Sequence, residues 1–225
     1  MFKAVIFDFD GVITDSEVLH LRAFNKVLGQ FAVELTMQEY YKTFLCFSDV
    51  DCYKMLIKQG RLKVNEEQIP TLVQQKMVVF EDLVKNEGKL IPSVRDFLSM
   101  LADNDIAMGI YSGALLPEIV MILDDADLRA YFETIVSSEQ VKKGKPDPEG
   151  FLLALERLND NRSEKIEAGQ CVVIEDSNGG LHAAKAAGMH TVGVTNSYDA
   201  DQLDAERIVG DLAELSIEDL QQLCR

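Results

Sequence analysis

The sequence predicts an α/β fold: an open parallel sheet covered by helices on both faces, with an all-helical segment inserted behind the first strand. Three observations carry this. The run Ala4-Val5-Ile6-Phe7 has no polar alternation and reads as a strand buried on both faces. From residue 94 onward helix and strand patterns alternate, the rhythm of parallel sheets whose crossovers are helices. Between about 15 and 88 every periodic stretch is helical and no strand pattern occurs.

The first strand runs straight into Asp8-Phe9-Asp10-Gly11-Val12. If extended geometry holds through them, Asp8 and Asp10 point to one side. Two like charges about 4 Å apart repel by about 4 kcal/mol at an effective dielectric of 20, so a cation or a proton must share the site. Asp-x-Asp also occurs at Asp49/Asp51, Asp103/Asp105, Asp125/Asp127 and Asp199/Asp201. Only Asp8/Asp10 follows a buried strand and precedes a glycine that permits close backbone approach.

Asp15-Ser16 then caps a helix with apolar residues at helical spacing from Val18 to Phe31. Further helical patterns cover 37–44, 50–59 and 66–85, and the polar turn 86–89 closes the insertion. The expected division is therefore a sheet-bearing core of 1–14 and 90–225 and a helical domain of 15–89. In the core, helices are expected at 94–102, 116–123, 149–158, 180–187 and 216–223. Strands are expected at 106–111, 134–137, 170–174, 191–194 and 207–209.

The composition narrows the class of partner. With 22 basic against 38 acidic residues the net charge is −16, and no basic run exists to meet nucleic acid or an anionic membrane. The first apolar run is short and acidic, without a basic leader, so no signal peptide is expected. No apolar stretch has membrane-spanning length. Cys46, Cys52, Cys171 and Cys224 lack any paired spacing, so reduced thiols in a cytoplasmic protein are expected, and no zinc site. His182 and His190 flank an alanine-rich helix and read as structural or exposed. A monomer or weak homodimer is the expected state.

In doubly wound sheets ligands bind beyond the carboxyl ends of the strands, so the residues there decide function. The strand ending at Tyr111 is followed by Ser112-Gly113, a hydroxyl and an accessible amide suited to a phosphate oxygen. The next loop, Lys142-Lys143-Gly144-Lys145-Pro146-Asp147-Pro148, fixes the backbone around Lys145 with two prolines. The strand ending at Ile174 leads into Glu175-Asp176-Ser177-Asn178-Gly179-Gly180, where Asp176 or Ser177 also suits a helix cap. Two acidic pairs, a hydroxyl and a lysine at separate strand ends describe a divalent-cation and phosphate site, and an all-oxygen ligand set suits Mg²⁺.

These segments, with Ala183-Ala184-Lys185-Ala186-Ala187-Gly188-Met189 behind the last, resemble the haloacid dehalogenase superfamily of phosphotransferases over essentially the whole chain. The resemblance implies a Rossmann-like core with a helical cap inserted after the first strand. It implies that Asp8 is a nucleophile forming an aspartyl phosphate and that Asp10 is the acid and base. It places Mg²⁺ between Asp8, the carbonyl of Asp10 and Asp176, with Glu175 close by. Lys145 screens charge, Ser112 with the amides of Gly113 and Phe9 binds the phosphoryl oxygens, and Ser16, His20 and Asn178 lie on the substrate side.

Within that superfamily the nearest resemblance is to β-phosphoglucomutase and the small phosphatases sharing its cap type. Ser16 and His20 match cap positions of the mutase. A mutase also grips a second phosphate with basic cap residues, whereas Thr43-Phe44-Leu45-Cys46-Phe47-Ser48-Asp49-Val50-Asp51 contains no arginine. Lys42 and Lys54 are the nearest cations, and Asp49 and Asp51 repel a dianion. The expected activity is therefore hydrolysis of a small phosphorylated metabolite, with Cys46 and Phe47 as cap contacts and the mutase as alternative. A phosphoryl-accepting signalling receiver shares the acidic cluster and the lysine, but its phosphoacceptor lies on a later strand and it has no helical insertion.

Overall fold

The computed structural model describes residues 1–45 and 47–225, and the expectation for Cys46 falls outside them. It divides into two compact units, Met1–Thr14 with Leu90–Arg225, and Asp15–Lys89.

The first unit is built on a six-stranded parallel sheet of β1 (Ala4–Phe7), β2 (Ala107–Tyr111), β3 (Thr134–Val136), β4 (Cys171–Glu175), β5 (His190–Val194) and β6 (Arg207–Val209). The strand order is β3-β2-β1-β4-β5-β6, which reverses at β1, the switch point where such sheets open a crevice. Val5, Ile6 and Phe7 are wholly buried, as a strand covered on both faces requires. In register, Phe7 of β1 stands beside Ile110 of β2 and Ile174 of β4. The residues that follow each of these strands therefore emerge side by side.

The second unit contains α1 (Glu17–Leu28), α2 (Met37–Glu39), α3 (Asp49–Lys58) and α4 (Ile69–Glu87). Its core packs Phe24, Phe44, Tyr53, Leu56 and Leu72. The single helix expected over 37–44 is instead α2 followed by a π turn over Tyr40–Phe44, with Leu45 N–H donating to Tyr40 O at 3.1 Å. Tyr40 and Phe44 are both buried in this turn. Ser16 occupies the N-cap of α1, but its side chain makes no capping hydrogen bond, contrary to the expected cap. Phe47 is half-buried and meets Phe44 edge-on at 6.4 Å.

The sheet is covered by α5 (Val94–Asp103), α6 (Leu116–Asp125), α7 (Glu149–Leu158), α8 (Asn178–Ala186) and α9 (Ile217–Leu223). On one face Tyr111, Phe151, Ala154, Val173, Ala183 and Ala184 form a continuous core. The small residues Ala183 and Ala184 let α8 approach the sheet closely. Cys52, Cys171 and Cys224 are buried free thiols. Among the described residues no helix is long and apolar enough to cross a membrane.

Candidate active site

Asp8 remains within the sheet ladder, its N–H donating to Ile174 O at 2.9 Å. Beyond it the chain turns. Phe9 O accepts from Ile13 N at 2.8 Å and Thr14 N at 3.2 Å, and Gly11 adopts φ +78°. Regular strand structure stops at Phe7 and the chain bends at Phe9, so the condition under which alternation would align Asp8 with Asp10, extended geometry through both, is not met; the left-handed Gly11 follows Asp10 and turns the chain onward. A Cβ on residue 11 would collide with Asp176 Oδ2, so glycine is required for contact between the two loops as well as for the turn.

The side chains that converge are Asp8, Glu175 and Asp176, whose carboxylate oxygens lie within 4.8 Å of one another. All are buried, and the Asp10 carboxylate is half-exposed outside this cluster. Lys145 Nζ bridges two of them, donating to Asp8 Oδ1 and to Glu175 Oε1 at 2.6 Å. Its own loop is pinned by Glu149, whose carboxylate accepts from Lys142 N at 2.9 Å and Lys143 N at 3.1 Å. The Lys145-Pro146 bond is cis. The rings of Tyr111 and Phe151 flank the ammonium at 5.1 and 5.6 Å.

Glu175 is held from its other side: Oε2 accepts from Ser177 N and Ser177 Oγ, each at 2.7 Å. Ser177 in turn caps α8 by accepting from Gly180 N at 3.2 Å. The cap expected in this segment and the acidic pair therefore coexist, with the cap fixing the pair. Gly180 is required because a Cβ there would collide with Glu175 Oε1.

Burial pushes the Asp8 carboxyl up to about 7, Lys145 opposing and Glu175 and Asp10 reinforcing the shift. Burial, with Glu175 and Asp8 adding to it, likewise raises Asp176 well above the usual carboxylate range. For Lys145 burial alone would favour the neutral amine, but Asp8 and Glu175 hold it well above the ordinary lysine value. With the lysine charged, three carboxylates face one cation, and a second positive charge is needed for all to ionise. The all-oxygen donor set fits a hard divalent cation, which Asp8, Asp176 and Glu175 would hold.

Ser112 is buried at the end of β2, its Oγ accepting from Ala114 N at 2.9 Å, with Gly113 beside it. Phe9 is wholly buried. Asn178, expected on the substrate side, is occupied differently: Nδ2 donates to Gln202 O at 2.7 Å and Oδ1 accepts from Asp204 N at 2.9 Å. Both ends of the amide tie α8 to the loop after β5, a structural engagement of Asn178 that the sequence did not indicate. Sequence reasoning missed that same loop, where Ser197 Oγ donates to Asp176 Oδ2 and Asn196 Nδ2 donates to Gly11 O at 2.6 Å.

The helical unit has a polar cluster of its own. Ser16 and His20 are buried on α1, and His20 stacks on Phe80 at 3.9 Å. Lys76, wholly buried on α4, lies 2.7 Å from His20 Nδ1 and 3.1 Å from Asp49 Oδ2. An ammonium has no acceptor, so Nδ1 takes the hydrogen bond and the ring proton sits on Nε2. The pair with Asp49 is ionic, since Asp49 Oδ2 makes no hydrogen bond among the described residues. Tyr40 donates to Glu17 at 3.0 Å beside them. No motif marks Lys76 in the sequence.

Comparison with known proteins agrees with this geometry. A model of the family described as haloacid dehalogenase-like hydrolase matches residues 5–194. A phosphorylated carbohydrates phosphatase of Thermotoga maritima is 33% identical over 199 residues, covering 88% of this chain and 87% of that protein. A β-phosphoglucomutase of Bacillus subtilis is 29% identical over 228 residues, covering 98% and 94%. Among solved structures, CbbY of Rhodobacter sphaeroides superposes with a TM-score of 0.87 over 98% of this chain and all of that one, at 23% identity.

Proposed function

Since the chain belongs to the haloacid dehalogenase-like hydrolases, we propose that it is a Mg²⁺-dependent phosphatase of small phosphate monoesters, sugar phosphates foremost. What supports this most is the bridging of Asp8 and Glu175 by Lys145 beside Asp176, at the carboxyl ends of β1 and β4. The likeness to a protein named for phosphorylated carbohydrates supports the substrate class.

In this reading an Asp8 oxygen attacks phosphorus, an Asp8 O–P bond forms and the P–O bond to the leaving group breaks. Asp10, half-exposed just before the left-handed Gly11, gives its proton to the departing alkoxide. Water then attacks the phosphorus of phospho-Asp8 as Asp10 takes back a proton, and inorganic phosphate leaves. The cation would supply Lewis-acid polarisation and screen the carboxylate from the anionic phosphoryl group. Lys145 adds a fixed charge to that screening, while the Ser112 hydroxyl and the amides of Gly113 and Phe9 hold the equatorial oxygens. The helical unit 15–89 serves as the cap that selects the leaving group.

The mutase is the second reading, favoured by the length of the match to β-phosphoglucomutase. It needs a grip on a second phosphate. In this chain the buried cation of the helical unit, Lys76, already faces the carboxylate of Asp49, which favours hydrolysis. Incubation with β-glucose 1-phosphate and Mg²⁺ separates the two: free phosphate supports the phosphatase, and glucose 6-phosphate establishes the mutase.

A further inference from the structure

A fifth strand end enters the acidic site. We propose that Ser197, in the loop leaving β5, is a positioning residue that orients Asp176 for the cation. β5 is the neighbour of β4, so its exit loop lies against the Glu175-Asp176 turn. There the Ser197 hydroxyl donates to Asp176 Oδ2, the same oxygen that the backbone of Gly11 abuts. Asn196, next in the chain, donates to the carbonyl of Gly11 at 2.6 Å. The two residues thus clamp the turn after β1 and the turn after β4 to one loop.

Oδ2 of Asp176 is thus held between Gly11 and the Ser197 hydroxyl, which fixes the orientation of the carboxylate that would help hold the cation. Carboxylates that ligate metals depend on such outer partners for their orientation. The partner here is neutral. A lysine or arginine in its place would compete with the cation for the negative charge of Asp8, Glu175 and Asp176, whereas a hydroxyl fixes the carboxylate and leaves that charge available.

The inference rests on the cation-dependent reading of the site. Its test is calorimetric titration of the full chain with Mg²⁺ in the absence of substrate, on wild type, Ser197→Ala, Ser197→Cys and Ser197→Thr. Loss of an outer partner lowers metal affinity by about 10–100-fold. The expected result is that loss for alanine and for cysteine, a weak donor of similar size, with threonine near wild type because it keeps the hydroxyl. Wild-type affinity in both the alanine and cysteine variants overturns the assignment of Ser197 alone. A wild-type protein that takes up no Mg²⁺ overturns the cation-dependent reading itself.

Discussion

Lys145 Nζ lies 2.6 Å from Glu175 Oε1 while also donating to Asp8, so one ammonium couples the end of β1 to the end of β4. Lys145→Met removes that charge from a buried site and leaves the acidic cluster to repel an incoming phosphate. The expected fall in kcat is about 10²–10³-fold, the usual effect of deleting one electrostatic contact to a developing charge. Steady-state phosphate release measures it, and a loss below threefold contradicts the role.

The protonation of Asp8 gives stability a defined pH dependence when no cation is present. Its folded value of about 7 lies above the ordinary value of 3.8, so its contribution is complete below about pH 4 and is lost as pH rises through 7. Asp176 shifts in the same direction. Asp219, whose value is lowered chiefly by the side-chain hydrogen bond from Ser216, titrates below this window. Chelator-treated protein is expected to lose roughly 2–4 kcal/mol between pH 5 and pH 8. Added Mg²⁺ raises Tm more at pH 8 than at pH 5. A flat or rising stability over that range contradicts the burial argument.

In the helical unit, Asp49→Ala takes the carboxylate from beside the wholly buried Lys76. Breaking such a pair costs about 3 kcal/mol. Adding Lys76→Met to Asp49→Ala is expected to recover part of the loss, because the double variant no longer buries the ammonium without its partner carboxylate. Urea unfolding gives both numbers, and an Asp49→Ala cost under about 0.5 kcal/mol, the range of an indifferent surface change, contradicts the pairing.

The sheet was legible because β1, β2 and β4 are short, wholly buried runs, each followed at once by polar residues. Asp8, Ser112 and Asp176 stand directly at those strand ends, whereas Lys145, in the loop beyond β3, was marked by the two prolines around it. The position of Asp10 could not be read, since the strand ends at Phe7 and the bend at Phe9 that carries Asp10 leaves no mark in the sequence. Nor could the partners of Asn178, whose amide fits a ligand or a loop equally well until Gln202 and Asp204 are seen beside it. Lys76 and Ser197 were illegible for a common reason. A lone lysine on an amphipathic helix and a serine in a turn after a strand are ordinary in sequence, and only tertiary packing brings Asp49 to the one and Asp176 to the other.

Asp8 as nucleophile is the centre of the account. The most direct measurement is phosphate release from a sugar phosphate by wild type and Asp8→Asn, each with Mg²⁺ and with chelator, alongside mass spectrometry for a phosphorylated Asp8. The account predicts turnover in wild type with Mg²⁺ alone, none in Asp8→Asn, and a phosphoryl group on Asp8 of wild type during turnover that Asp8→Asn does not carry. Ordinary turnover by Asp8→Asn, or turnover by wild type that is indifferent to the chelator, contradicts it.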